Sequence, residues 1–246
     1  MSRLAVLLIA FAALTEAAKL PKSWKVCRRS DSKMNECLKV ATKNAIQDLK
    51  NGNPQLGVLP LDPLRFDRLI LDQGSGPVSI KLDFRNLDLI GISSAKVEKM
   101  KADWANYNLE AEVTFGKKIM LLGDYTISGK VLVLPITGAG KCNLTFDNFV
   151  AKLAAKGREV VKGNQKYMQV DKFTVAIETS RLHVYLANLF NGDKTLGNQM
   201  NIFLNENWQD ILKELKPTIS SAFGAAFKEI ANRVFSKIPI NQIAPM

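Results

Sequence analysis

Residue types that commonly carry out catalysis are sparse in this chain and do not cluster. His183 is the only histidine, and the alternation of Arg181-Leu182-His183-Val184 places it on the polar side of a strand. We therefore interpret it as a solvated or hydrogen-bonded strand residue rather than a general base. The sequence has no Gly-x-Ser-x-Gly nucleophile motif, and spacing sets no pair of carboxylates apart. We expect that the protein is not an enzyme.

Motifs for cofactors and metals are equally weak. Gly138-Ala139-Gly140 resembles part of a phosphate-binding loop, but a third glycine is missing and no helical pattern follows. We therefore predict a tight turn at these residues. Histidine and cysteine are not grouped at the spacings of a metal site. We expect neither a metal ion nor a cofactor.

Three cysteines indicate one disulfide and one free thiol. Cys27 and Cys37 are close in sequence and flank the start of a helical pattern over residues 31–50. We predict that they pair and fix the N-terminal segment. This helix is expected to end at Asn51-Gly52, where a glycine follows the last periodic residue.

The third cysteine lies in a strand pattern. Cys142, Leu144 and Phe146 share one face and should point inward, so we expect a buried, unreactive thiol. The same alternation turns Asn143 and Thr145 outward. These two residues belong to an N-glycosylation sequon, with Asn143 as the predicted acceptor.

The chain starts with the features of a secretory leader. Arg3 precedes an uncharged, apolar run from Leu4 to Leu14, and small residues follow at Ala17 and Ala18. The run is too short to span a bilayer as a helix. We predict a signal peptide over residues 1–17, with cleavage after Ala17 or Ala18, and a single ligand-binding domain over residues 18–246. The alternative is an uncleaved N-terminal anchor. We expect a secreted, extracellular protein.

The net charge is +11, which raises the question of acidic partners. The basic residues are scattered, and the sequence has no nucleic-acid-binding motif, so we expect no nucleic-acid partner. A solvated basic surface is one explanation, and weak contact with acidic membranes is another. We expect a monomer. The one modest basic cluster comprises Lys19, Lys22, Lys25, Arg28, Arg29 and Lys33.

The elements that would position any site are a long helix and a series of strands. Residues 205–237 have an apolar stripe at helical spacing, with Asn205 as the predicted N-cap. At 1.5 Å per residue, about 30 residues of such a helix span roughly 45 Å, and the helix must be covered along its length. The stripe consists of Trp208, Ile211, Leu212, Leu215, Ile219, Phe223, Phe227, Ile230 and Val234.

Residues 65–190 alternate mainly with period two, without helical patterns between the strands. Val78, Ile80 and Phe84 share one parity, and the apolar parity shifts after Asn86, as a β-bulge would cause. This pattern predicts an antiparallel meander. The fold class is therefore α+β: a long C-terminal helix wrapped by a highly curved antiparallel sheet, with an N-terminal helix.

The order and spacing of several motifs resemble the takeout and juvenile-hormone-binding protein family of insects. The resemblance covers essentially the whole mature chain. Together the motifs are specific, although each one alone is weak. They are the Cys27 to Cys37 segment, and residues 52–57 (Gly-Asn-Pro-Gln-Leu-Gly), 60–64, 91–93, 123–129, 134–140, 188–192 and 203–208.

The resemblance implies a haemolymph protein with a hydrophobic tunnel for a terpenoid or another lipid-like ligand. Hormone carriers of this family have a second disulfide, whereas Cys142 has no fourth cysteine with which to pair. This difference favours the takeout-like branch of the family. It also argues against juvenile hormone itself as the ligand.

The predicted function is that of a secreted carrier with a hydrophobic small-molecule partner. The alternative is a membrane-surface, lipid-interacting protein of the same fold. Tyr125 could orient a ligand through its hydroxyl or make a structural hydrogen bond. The candidate ligand-binding residues are the inward strand positions and the helix stripe: Leu109, Val113, Ile119, Leu121, Tyr125, Val133, Phe146, Val175, Ile177, Leu186, Trp208, Leu212, Leu215, Ile219, Phe223 and Phe227.

Overall fold

Antiparallel strands and one long helix dominate the architecture of residues 18–246, which a computed structural model describes. The signal peptide predicted over residues 1–17 lies outside the described residues. The helices of the described part are α1 (Met34–Asp48), α2 (Lys194–Glu206), α3 (Trp208–Phe235) and the short α4 (Ile240–Ile243). The strands are β1 (Leu64–Gln73), β2 (Val78–Ile90), β3 (Ala95–Asp103), β4 (Asn108–Phe115), β5 (Ile119–Val131), β6 (Leu134–Asp147), β7 (Val150–Lys162), β8 (Gln165–Glu178) and β9 (Arg181–Leu186).

The strands form two antiparallel sheets rather than one continuous sheet. The five-stranded sheet has the order β1-β2-β5-β6-β9, and the four-stranded sheet has the order β3-β4-β7-β8. The chain passes between the sheets through four connections of only two to four residues. The predicted bulge in β2 is confirmed, because the register of β2 on β5 shifts between Arg85 and Asp88 and Asn86 has a positive φ of 48°.

The long helix α3 lies between the free edges of the two sheets. It packs along β8 on one side and contacts β1 on the other. The Ser220 hydroxyl donates to the Val175 carbonyl on β8, and the Thr218 hydroxyl donates to Oε1 of Gln73 at the end of β1, at 2.6 Å. The predicted wrap around a C-terminal helix is therefore formed by two sheets, with the helix closing the gap between their edges.

The predicted helix over residues 205–237 is two helices. Asn207 separates α2 from α3, and Asn205 lies inside α2. The prediction of Asn205 as an N-cap is therefore wrong. Its side chain instead pairs with Val184 on β9: Nδ2 donates to the carbonyl at 2.6 Å, and Oδ1 accepts from the backbone N–H at 3.0 Å.

Two other asparagines on the helices form hydrogen bonds with backbone groups at the edges of the sheets, as Asn205 does with Val184. Asn201 on α2 exchanges two 2.9 Å hydrogen bonds with the backbone of Leu186. Asn232 on α3 accepts from Val170 N–H at 2.8 Å and donates to its carbonyl at 2.9 Å. An unpaired strand edge invites association with other chains, so these side chains act as partners for β9 and β8.

The first helix is shorter than predicted. Residues 31–50 were expected to be helical, whereas α1 spans Met34–Asp48 and a single 3-10 turn follows. The predicted stop at Gly52 is confirmed by its positive φ of 81°. α1 packs against β3, and the disulfide between Cys27 and Cys37 fixes the preceding segment to it.

Gly138-Ala139-Gly140 lies inside β6, so the predicted tight turn is wrong. The glycines are required by close packing rather than by a turn. A Cβ at Gly140 would come within 2.5 Å of the Ala187 carbonyl oxygen, and one at Gly138 within 2.9 Å of Leu189 Cα. The segment that follows β9 therefore crosses directly over this part of β6.

Candidate functional site

A cavity of about 470 Å³ lies between the sheets, α1 and α3. Every strand contributes at least one inward side chain to its wall. This arrangement follows from the alternation, because one face of each strand is apolar and both sheets turn that face toward α3. The volume falls within the range of small-molecule sites, about 300–1,000 Å³.

The wall of the cavity is almost wholly apolar. Lys25 and Thr42 are the only lining residues in the described chain whose side chains are neither hydrocarbon, thioether nor aromatic. A cavity of this kind is unfavourable for water, which needs two to four polar partners to be held well. The site is suited to an apolar molecule.

The helix stripe forms the wall on the α3 side. All nine of its predicted members face the cavity. Phe223 contacts Phe66 edge to face, with ring centroids 5.6 Å apart, and lies 6.3 Å from the stacked ring of Phe227. These aromatic rings are only half-buried, because no side chain covers their cavity side.

The structure brings fourteen of the sixteen predicted ligand-binding residues to the cavity wall. Whether they contact a ligand remains a prediction. These residues are Leu109, Val113, Ile119, Leu121, Phe146, Val175, Ile177, Leu186, Trp208, Leu212, Leu215, Ile219, Phe223 and Phe227.

Val133 does not belong to the site. It lies in the turn between β5 and β6, outside both strands, and is 81% exposed. In β5 the odd-numbered side chains point inward, and Val133 would continue that series. The strand ends at Val131, however, so the alternation no longer applies at Val133.

Tyr125 is buried but does not line the cavity. Its hydroxyl donates to the Ala187 carbonyl at 2.7 Å. This bond lies beside Gly138 and Gly140 of β6. Burial raises the pKa of Tyr125 to about 12. Of the two roles expected for this hydroxyl, the structure matches the structural hydrogen bond.

β1, β2 and α1 also contribute to the wall, although none of their residues is among the sixteen predicted ones. The alternation in β2 is the signal that could have identified Ile80, Leu82 and Phe84. For α1, the sequence predicts the helix itself, but its position over β3 depends on the tertiary fold. The missed residues include Leu69, Leu71, Ile80, Leu82, Phe84 and Leu89 of the sheet, and Leu38, Ala41, Thr42, Ala45 and Ile46 of α1.

His183 lies on the outer face of β9, between two residues that face the cavity. Its Nε2 is 3.0 Å from Oδ2 of Asp147, and Lys118 pairs with the same carboxylate at 2.9 Å. Hydrogen bonds from Lys118 and His183 lower the pKa of Asp147. The site is exposed, as expected for a solvated or hydrogen-bonded strand histidine.

The cysteines are arranged as predicted. Cys27 and Cys37 form the disulfide, and Cys142 is a buried free thiol. Burial raises the pKa of Cys142 to about 11, so little thiolate exists at neutral pH. Asn143 beside it is exposed, and its glycosylation remains a prediction.

Residues 18–246 contain no group of three or more histidine, cysteine or carboxylate side chains arranged to hold a metal ion. Among the helices of the same residues, none combines the length and apolar character needed to cross a membrane.

Comparison with known proteins identifies relatives along nearly the whole chain. The chain is 24% identical over 229 residues to the circadian clock-controlled protein daywake of Drosophila melanogaster, covering 90% of this chain and 87% of that protein. It is 21% identical over 209 residues to a proposed beta-carotene-binding protein of Schistocerca gregaria, covering 85% of this chain and 82% of that protein.

The architecture also matches a solved structure. The crystal structure of Epiphyas postvittana Takeout 1 superposes with a TM-score of 0.77 at 27% sequence identity, covering 90% of this chain and all of that one. The model of the family described as haemolymph juvenile hormone binding protein matches residues 4–245. The chain therefore belongs to the haemolymph juvenile hormone binding protein family.

Proposed function

We propose that this protein is a secreted carrier that holds a hydrophobic small molecule inside the cavity between its two sheets and α3. The observation that carries the proposal is the wall itself, which is apolar along α3 and on both sheets. Membership in a family of hydrophobic-ligand-binding proteins supports it. The name of the Schistocerca gregaria relative, which specifies a terpenoid, supports the same ligand class.

The driving force would be transfer of apolar ligand surface out of water. Burial of about 400 Å² of ligand at roughly 25 cal/mol per Å² contributes about 10 kcal/mol before the entropy of association is subtracted. Subtracting the smallest estimate of that cost, about 4 kcal/mol, leaves about 6 kcal/mol, which corresponds to a dissociation constant on the order of tens of micromolar. The carrier is proposed to be extracellular, on the basis of the predicted signal peptide and the disulfide between Cys27 and Cys37.

Two measurements test the carrier function. Native mass spectrometry of the purified protein, with analysis of its organic extract, should show one lipid-like molecule per chain. The delipidated protein should bind a fluorescent terpenoid or fatty-acid probe with one-to-one stoichiometry. Absence of both a bound molecule and probe binding would contradict the proposal.

The proposed carrier has no turnover. Purified protein should not hydrolyse ester, phosphate or glycoside substrates. Hydrolysis that persists through repurification and disappears when one side chain is changed would require an enzymatic function instead.

The alternative of a membrane-surface protein has one observation in its favour. Val133 is 81% exposed at the turn between β5 and β6, and the adjoining Leu134 is 37% exposed. A basic protein with an apolar tip can bind anionic membranes. Sedimentation with anionic vesicles distinguishes the two functions: a carrier remains in the supernatant, and Val133→Ser does not alter its distribution.

A further inference from the structure

Asn143 lies on the outer face of the five-stranded sheet, on the side of β6 that is turned away from the cavity. The residues that alternate with it, Leu144 and Phe146, line the cavity or point toward it. In the sheet register Asn143 is paired with Tyr185 of β9 on one side and with Leu122 of β5 on the other. Residues directly opposite on antiparallel strands have Cβ atoms about 4.5–5.5 Å apart. The side chains of Tyr185 and Leu122 are therefore the closest cross-strand neighbours of Asn143.

These neighbours form an apolar patch, here called the outer patch, which consists of Met120, Leu122 and Tyr185. Met120 is paired with Thr145 of the sequon and shares the outer face of β5 with Leu122. Tyr185 is 57% exposed, and Met120 and Leu122 are partly exposed. The rest of the described chain leaves all three in contact with solvent.

Ion pairs bound the outer patch at both ends of its strands. Lys141 pairs with Asp124 at one end, and Lys118 and His183 pair with Asp147 at the other. An exposed apolar surface with a polar rim is typical of an interaction site. The sequon indicates what covers this one, because its asparagine stands within the patch.

The amide of Asn143 is oriented by the sequon itself. Thr145 Oγ1 donates to Asn143 Oδ1 at 3.0 Å. This bond uses the amide oxygen and does not involve Nδ2, the atom to which an N-linked glycan is attached. A glycan on Nδ2 therefore starts between Tyr185 and Leu122 without breaking the bond to Thr145.

We propose that Asn143 carries an N-linked glycan whose first N-acetylglucosamine packs on Tyr185 and covers the outer patch. One face of this sugar presents C–H bonds, which are attracted to the negative face of an aromatic ring. The later sugars extend into solvent. The inference is independent of the carrier function, because the cavity lies on the opposite face of the sheet.

The modification is a substitution at a sugar carbon. Asn143 Nδ2 attacks C1 of an oligosaccharide that is joined to a lipid diphosphate, the donor of the secretory pathway. The C1–N bond forms as the C1–O bond to the diphosphate breaks. The lipid diphosphate leaves with the bonding electrons, and Nδ2 gives up one proton to a base of the transferring enzyme.

The first test uses the full chain secreted from insect cells with its own leader. Peptide mapping by mass spectrometry should find the glycan at Asn143. The glycan is then trimmed enzymatically to a single N-acetylglucosamine, and Asn143→Gln supplies the form without sugar. In urea unfolding, the single sugar should raise the folding equilibrium constant about fivefold, the upper range for a cross-strand pair. With Tyr185→Ala in both forms, the sugar should leave the constant unchanged.

Val161→Ala is the matched control. Val161 is 60% exposed like Tyr185 but lies on β7 of the other sheet, so the full fivefold effect of the sugar should remain. An equal effect of the sugar with and without Tyr185 would overturn the packing on this ring. An unmodified Asn143 in the secreted protein would overturn the proposal as a whole. Self-association of that unmodified protein, abolished by Tyr185→Ala, would assign the outer patch to a second copy of the chain instead.

A measurement on wild type does not depend on the folding of any variant. In the trimmed protein with ¹³C-labelled sugar, the proton signals of the N-acetylglucosamine ring should lie upfield of their positions in urea-unfolded protein, because protons above an aromatic face are shielded by its ring current. Signals at the same positions in both states would overturn the contact with Tyr185.

Discussion

Gly224 of α3 lies so close to Phe173 of β8 that a Cβ at position 224 would come within 2.5 Å of the Phe173 carbonyl oxygen. The helix is seated directly on the strand backbone at this turn. The flanking bonds from Ser220 and Asn232 to β8 fix the same contact. The absence of a side chain at Gly224 therefore determines how closely α3 approaches the sheet.

Gly224→Ala is expected to destabilise the protein by about 1–3 kcal/mol, because the helix must move away from β8. Helix propensity alone would give the opposite sign, a gain of about 1 kcal/mol. Gly197→Ala in α2 is the control, since its Cβ would meet nothing closer than 3.8 Å, and it should be neutral or stabilising. Urea unfolding measures both. Equal effects of the two substitutions would show that close packing does not constrain Gly224.

Asn205→Ala is expected to cost about 1–3 kcal/mol of unfolding free energy. The change leaves the N–H and carbonyl of Val184 without the partner that closes the edge of β9. Asn198→Ala, on the exposed side of α2, should stay within about 0.5 kcal/mol of wild type. Hydrogen exchange should also speed up at Val184 in the Asn205 variant. Unchanged exchange there would contradict the edge-pairing role.

Phe223→Ala tests whether the helix stripe belongs to a binding site or to the core. A fully packed phenylalanine would cost about 3–5 kcal/mol on truncation. We expect a smaller loss, because one side of the Phe223 ring already faces the cavity, and ligand preference should shift toward bulkier molecules. Leu87→Ala is the core control, since Leu87 is 0% exposed and is not part of the cavity wall.

Thermal stability and a series of ligands of increasing bulk should be measured for both variants. A loss for Phe223→Ala that exceeds the loss for Leu87→Ala, with unchanged relative affinities, would place Phe223 in ordinary core.

Stability should fall at alkaline pH because of Cys142. Burial raises the pKa of its thiol from 9.0 to about 11. Below about pH 9 the thiol is protonated in both states and its contribution is constant. Between about pH 9 and 11 the unfolded chain loses the proton first, so the free energy of unfolding decreases by up to about 3 kcal/mol. Cys142→Ala should show a shallower decrease over this window in pH-dependent urea unfolding. A slope that is identical in both proteins would exclude the thiol as the cause.

Local patterns in the sequence determined the elements themselves. The alternation in β2, the parity shift at Asn86 and the stripe from Trp208 to Val234 depend only on neighbouring residues and on the periods of strand and helix. The same is true of the Cys27–Cys37 pair, whose short loop brings the two side chains together. The order and spacing of the motifs indicated the family, and the resemblance to that family implied a sheet wrapped around a helix.

Tertiary structure decided how those elements meet. The polarity of Asn205 predicts a helix cap, but the edge of β9, with which it pairs, lies within reach only in the folded chain. Gly138 and Gly140 predict a turn, since no sequence pattern reveals the segment that packs against β6 at these glycines. The sequence likewise does not distinguish a core residue from a residue that lines the cavity, since Leu87 and Phe223 are both apolar residues in regular patterns. Whether a side chain meets another side chain or an open space depends on the distance between elements remote in sequence, and that distance is fixed by the packing of α1 and α3 against the two sheets.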